Sequence, residues 1–153
     1  MLVYCLNMVT MDTMQSSNTP NEQASPDNPK KPTILIVEDD QILLNMYTQK
    51  LVSEGLKVVS AENGEEAFNV FQREDIDLII TDIMLPKASG IEFLEKIRNT
   101  PKGKDIPVIV WTNLSLDEEK RQALELGANE YVVKESLTLD KMVELVKKYL
   151  ASS

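Results

Sequence analysis

The stretch Thr33-Ile34-Leu35-Ile36-Val37-Glu38-Asp39-Asp40 decides the fold: five apolar or β-branched residues in a row, closed by three acids. A strand that faces water on one side alternates apolar with polar residues, whereas a strand covered on both sides has no reason to alternate. This run therefore reads as an interior strand of a parallel sheet with helices on both faces. A stretch of helical length follows, with Leu43, Leu44, Tyr47 and Leu51 on one stripe, Gln and Lys expected on the opposite face, and Gly55 as its stop. The same alternation recurs with strands expected at Lys57 to Ser60, Leu78 to Thr81, Val108 to Trp111 and Tyr131 to Val133. Five strands and five helices in strict succession predict an α/β fold of three layers, a doubly wound five-stranded parallel sheet between two sets of helices.

The helix boundaries carry their own chemistry. Asn63 before Gly64-Glu65-Glu66 reads as an N-cap followed by acids where the macrodipole favours them, and Ala67, Val70 and Phe71 should face inward. Ile91, Leu94 and Ile97 mark a third helix that ends at Asn99-Thr100-Pro101, because the residue before proline avoids helical angles. A fourth runs from about Asp117 to Leu126, with Gly127 placed for a left-handed C′ position. Thr138 can cap a last helix with the stripe Leu139, Met142, Val146 and Leu150.

Composition narrows the function. The chain has 153 residues, 42% of them apolar and 27% charged, enough for one core and short for two. No stretch approaches the roughly 20 apolar residues of a membrane span. Formal net charge is −9, and since Asp12, Glu22 and Asp27 are set against only Lys30 and Lys31 before Thr33, nearly all of it lies in the remainder. Such a surface argues against direct contact with nucleic acid. The absence of histidine excludes His-ligated metals and Ser-His or Cys-His nucleophiles, and the single Cys5 excludes an intrachain disulfide, which fits a reducing cytoplasm. Residues 1–32, rich in Ser, Asn, Gln and Pro from Gln15 onward, read as a flexible tail, leaving 33–153 as the folded domain.

In open parallel α/β sheets ligands bind beyond the carboxyl ends of the strands. Here those ends carry Glu38-Asp39-Asp40, Asp82, Thr112 and Lys134. Three neighbouring carboxylates stay ionised cheaply only with a cation among them, and an all-oxygen donor set favours Mg²⁺.

Ile34-Leu35-Ile36-Val37-Glu38-Asp39-Asp40, Thr81-Asp82-Ile83-Met84-Leu85-Pro86 with Gly90, Val110-Trp111-Thr112 and Tyr131-Val132-Val133-Lys134, in that order on those strands, resemble the receiver domain of two-component response regulators over roughly Thr33 to Leu150. The resemblance implies a flavodoxin-like (CheY-like) sheet of order 2-1-3-4-5. It implies Asp82 as phosphoacceptor, with Thr112 and Lys134 completing the catalytic set. It implies Mg²⁺ on Asp39, Asp82 and the Met84 carbonyl, with Glu38 acting directly or through water, and Thr112 and Tyr131 as the switch. The implied donor is a sensor histidine kinase or phosphotransfer protein. Output is expected by contact with a downstream protein, the receiver being a stand-alone monomer or a phosphorylation-dependent dimer in the cytoplasm, with no membrane and no direct nucleic acid.

Taken singly these residues have plainer readings. Asp39 or Asp40 suits an N-cap, Thr112 is a strand former, Lys134 a solvated strand end and Tyr131 a half-buried strand residue. Two positions depart from the family: Glu135 stands where proline usually follows the lysine, and Asn113 where a small residue usually follows the threonine. A flavin carrier on the same fold would need a phosphate-cradling loop where Glu38-Asp39-Asp40 stands. An aspartyl phosphatase would carry an acid/base aspartate where Met84 stands. A phosphorylation-independent scaffold would not need Asp82, Thr112 and Lys134 together.

Overall fold

Residues 29–153 are described by a computed structural model, and residues 1–28, which hold most of the expected tail, lie outside the described residues. Strands and helices alternate as β1 (Thr33–Val37), α1 (Gln41–Ser53), β2 (Lys57–Ala61), α2 (Gly64–Arg73), β3 (Leu78–Thr81), α3 (Gly90–Arg98), β4 (Val108–Thr112), α4 (Asp117–Glu125), β5 (Glu130–Val133) and α5 (Leu139–Ala151), with a 3₁₀ turn at Lys134–Ser136. All pairings are parallel and the sheet order is β2-β1-β3-β4-β5. The order and layers are those expected, with β2 and β4 one residue longer and β5 beginning one residue earlier.

Successive residues of a strand point to opposite faces, and the core divides accordingly. Leu35, Val37, Ile79, Val108 and Val110 pack with Ala67, Phe71, Phe93, Leu94, Ile97 and Ala123 of α2, α3 and α4. Ile34, Ile36, Leu78, Ile80, Ile109 and Trp111 pack with Leu44, Tyr47 and Leu51 of α1 and Met142, Val143 and Val146 of α5. Full burial of side chains this size stabilises by about 1.5–3 kcal/mol each, which is why strands with no exposed face hold the centre of the sheet. Phe93, absent from the expected stripe of α3, is 1% exposed.

The caps follow the sequence. Asp40 accepts from the Ile42 and Leu43 amides at 2.9 and 3.1 Å, Asn63 from the Glu66 amide at 2.9 Å, and Thr138 caps α5. Gly55 and Gly127, just past α1 and α4, hold φ of 85° and 97°, the left-handed region glycine enters without strain. The outward face of α1 differs from expectation. Ile42, Met46 and Val52 are 79%, 40% and 54% exposed among the glutamines, while Lys50 leans into ion pairs with Glu54 and Asp140. The helix packs mainly on β1, β2 and α5, so residues off its buried stripe meet solvent whatever their polarity.

Gly90 opens α3 against the end of β3, its amide 3.1 Å from the Ile83 carbonyl, and a Cβ there would collide with the Asp82 carbonyl oxygen. Gly90→Ala is expected to lower unfolding free energy by about 2–3 kcal/mol in urea titration. A loss below about 0.5 kcal/mol would contradict this packing.

Candidate functional site

Register builds the site. Val37 of β1 pairs with Thr81 of β3, so the next residues, Glu38 and Asp82, leave neighbouring strands at the same level. The ladder continues through them: the Asp82 amide donates to the Val37 carbonyl and the Glu38 amide to the Ala61 carbonyl, each at 3.0 Å. Thr112 of β4 pairs with Val133 of β5, which sets Lys134 just beyond.

Lys134 reaches back across the sheet end. Its Nζ donates to Glu38 Oε2 and to Asp82 Oδ2, both at 2.6 Å, and all three side chains are buried, at 9%, 4% and 7% exposure. Burial holds the Glu38 carboxyl above the usual carboxylate range, and the bond and charge of Lys134 offset only part of that. Burial alone would lower the Lys134 ammonium, but its bonds and charge attraction to Asp82 and Glu38 outweigh burial and raise it. Asp82 Oδ1 accepts the Met84 amide at 3.0 Å, which fixes the plane of the carboxylate. The 3₁₀ turn begins at Lys134, and all described peptide bonds are trans, Lys134–Glu135 included.

Of the other expected residues, Asp39 is exposed at the end of β1 and Asp40 serves as the cap of α1. Thr112 is fully buried, its Oγ1 accepting the Leu114 amide at 3.3 Å. Half-buried Tyr131 donates to the Leu114 carbonyl at 3.0 Å. Asn113 is exposed and lines, with Lys134, Glu135, Leu43, Met46 and Leu139, a groove between α1 and the start of α5.

The donor set fits a hard divalent cation. Glu38, Asp39, Asp82 and the Met84 carbonyl offer only oxygen, and one ammonium against the two buried carboxylates, with exposed Asp39 next in sequence to Glu38, leaves a surplus of negative charge. No three acidic side chains close into a metal cage among the described residues; Lys134 stands between Glu38 and Asp82.

This constellation coincides with a family model described as response regulator receiver domain, which matches residues 34–147. The chain belongs to that family. A probable transcriptional regulator ycf27 of Guillardia theta is 40% identical over 104 residues, covering 68% of this chain and 40% of that protein. An uncharacterised 14.6 kDa protein of Leptolyngbya boryana is 33% identical over 116 residues, covering 76% of this chain and 88% of its own length. This receiver thus spans about two fifths of the ycf27 relatives it matches. Among solved structures, a putative response regulator from Chloroflexus aurantiacus superposes with a TM-score of 0.74 at 32% identity, covering 80% of this chain and 99% of that one. The receiver domain of sensor histidine kinase PA1611 from Pseudomonas aeruginosa, solved with a magnesium ion coordinated in its active-site cleft, shares the fold at a TM-score of 0.73 and 24% identity, covering 80% and 99%.

The receiver also uses residues that sequence reading passed over. Leu114 is bonded at both its amide and its carbonyl by Thr112 and Tyr131, a role of the backbone that no side-chain pattern reveals. Tyr47, read as core, meets Trp111 edge-on at 6.2 Å between ring centroids and accepts its indole N–H at 3.2 Å. Its polar tip was the available signal, because a buried phenol needs a partner.

A carboxyl whose folded pKa lies above its unfolded value contributes stability that is complete below the unfolded pKa and lost as pH rises through the folded one. Glu38→Gln, which keeps the shape without the charge, is therefore expected to gain on wild type as metal-free buffer is taken from below pH 4.5 to pH 7. Urea midpoints of both proteins across that range check it; a gap that narrows with rising pH would contradict the burial of a reluctant carboxylate.

Proposed function

We propose that this receiver domain is a phosphorylation switch in which Asp82 takes a phosphoryl group from a histidine kinase or a phosphotransfer protein. The observation that carries the reading is the buried Asp82 carboxylate held at both oxygens, by Lys134 and by the Met84 amide. A fixed carboxylate is a nucleophile already oriented for in-line attack. Asp82 forms the new O–P bond while the donor's N–P bond breaks, and water later cleaves the acyl phosphate to regenerate the carboxylate and inorganic phosphate. Lys134 and the Thr112 hydroxyl would donate to phosphoryl oxygens.

Glu38, Asp39, Asp82 and the Met84 carbonyl would hold Mg²⁺, and the cation, when bound, would neutralise charge on the transferring group. Lys134 has two anionic partners in the site, so it can exchange Asp82 for a phosphoryl oxygen and keep Glu38. Thr112 accepts the Leu114 amide and keeps its own hydroxyl proton to donate to a phosphoryl oxygen, so its movement toward that oxygen would pull on the loop leading into α4 and couple chemistry to Tyr131. The result is a switch with self-limited turnover of its own phosphoryl group, read out by a downstream protein in the cytoplasm.

The exposed Ile42 and Met46, beside the groove that Lys134 and Asn113 line, give the phosphoryl donor an apolar contact. The small Leptolyngbya relative, nearly all of which this domain matches, supports a receiver that works without an attached output module.

Two outcomes are expected from intact-mass measurement after incubation with Mg²⁺ and acetyl phosphate. Wild type gains a single phosphoryl adduct and Asp82→Asn gains none; an adduct of equal yield on Asp82→Asn would refute the assignment. Lys134→Ala is expected to retain Mg²⁺ affinity within about tenfold by calorimetry while losing the phosphorylation-dependent change in Trp111 emission.

A further inference from the structure

Residues 1–14 differ in kind from the chain that follows. The run from Met1-Leu2-Val3-Tyr4-Cys5-Leu6 to Met14 has ten apolar residues, four of the chain's seven methionines among them, and Asp12 is its one charged side chain. An apolar stretch of that size on a protein of net charge −9 calls for a covering surface, and methionine adapts to irregular ones. A surface of matching chemistry lies between α1 and the start of α5. This groove of about 280 Å³ is lined by Leu43, Met46, Leu137 and Leu139, with Lys134 and Asn113 at the end of the sheet that carries the phosphoacceptor, and Ile42 stands 79% exposed beside it. Tyr47 lines it too. Its hydroxyl accepts the Trp111 indole N–H and the residue is 4% exposed, yet its own proton has no acceptor among the described residues. A buried phenol proton needs one, and a backbone laid along the groove would supply a carbonyl.

The reach of the chain fits. Thr33 opens β1 at the edge of the sheet opposite the groove, and the five residues of that strand set the separation at about 17 Å. As a random coil, residues 15–28 would span about 19–22 Å, at 5–6 Å times the square root of their number. A tether of matched span holds the run near the groove at about millimolar effective concentration, so weak apolar contact suffices to fill it. We propose that residues 1–14 of this chain dock in the groove between α1 and α5 and, when docked, cover the face that meets the phosphoryl donor. The competition with the donor rests on the phosphorylation reading given above; the docking does not. Occupancy by the chain's own segment makes access to Ile42, Met46 and the Lys134 side of the site a property set within the molecule.

The test uses the full ¹⁵N-labelled chain with a nitroxide on Cys5, the only thiol in the sequence. Paramagnetic broadening of the Leu43, Met46, Leu137 and Leu139 amides is expected to exceed that of Phe71 and Ile97, in the opposite layer of helices, by at least about fivefold. Leu2→Asp combined with Leu6→Asp is expected to remove the difference. A second label, on Ser17→Cys in a Cys5→Ser chain, reads the same contact from outside the apolar run. Broadening with no preference for the groove from both labels would overturn the proposal. So would broadening passed to a ¹⁵N chain without nitroxide when the two are mixed, which would assign the contact to a second copy. Intact-mass phosphorylation by acetyl phosphate separates the two readings: its failure at Asp82 removes the competition with a donor, while the broadening alone decides the docking.

Discussion

Two carboxylates can be buried side by side at the end of this sheet because one ammonium is buried with them. Lys134 Nζ stands 2.6 Å from both Glu38 Oε2 and Asp82 Oδ2. Removing the ammonium would leave both buried carboxylates uncompensated, a cost of about 3–5 kcal/mol. The arrangement is nonetheless not there for stability. A buried pair gains little over apolar residues of the same volume, and Glu38 stays reluctant to ionise even with its partner in place. What the arrangement supplies is a carboxylate fixed in a weakly screened environment, the nucleophile of the function proposed above, where a cation or a phosphoryl group would meet strong fields.

Everything that positions Lys134 therefore positions the chemistry. The three charged residues come from β1, β3 and the turn after β5, and only parallel pairing with the registers Val37–Thr81 and Thr112–Val133 delivers them to one edge. The apolar strands below have no freedom to slip, since a one-residue shift would turn a fully buried strand's side chains to the wrong layer. Gly90 brings α3 against the Asp82 carbonyl, and Asp40 starts α1 beside Glu38, so both helices that flank the acids are tied to the same edge. On the far side of β4, Trp111 bonds Tyr47 of α1 while its neighbour Thr112 bonds Leu114, to which Tyr131 also donates. The end of β4 thus touches both layers of helices.

The sequence was most legible where one physical signal dominated. Unalternating runs such as Ile34–Val37 and Leu78–Ile80 can only be interior strands, and with the helical stripes between them they specify sheet type and layering. Caps at Asn63 and Thr138 and turns at Gly55 and Gly127 were legible because each residue answers a local backbone demand. The meeting of Glu38, Asp82 and Lys134 was foreseen by matching strand ends to a family pattern. The direct ammonium bridge between the two acids depends on where a long side chain points and was not. Contacts through the main chain, as at Leu114, and an orphaned oxygen such as that of Glu119 depend on tertiary packing and leave no trace in residue type. The apolar outward face of α1 was misjudged because the buried stripe, rather than its complement, carried the reading.

The Lys134 ammonium links Glu38 and Asp82, and in the proposed function it changes partner when Asp82 is modified. The most direct measurement is ¹⁵N NMR of the Lys134 ammonium before and after addition of Mg²⁺ and beryllofluoride, with Lys134→Arg for assignment. A slowly exchanging ammonium signal in the metal-free protein, which shifts on adduct formation and stays protected, is the predicted result. A Lys134 signal in fast exchange with solvent, or one unmoved by an adduct on Asp82, would contradict the account.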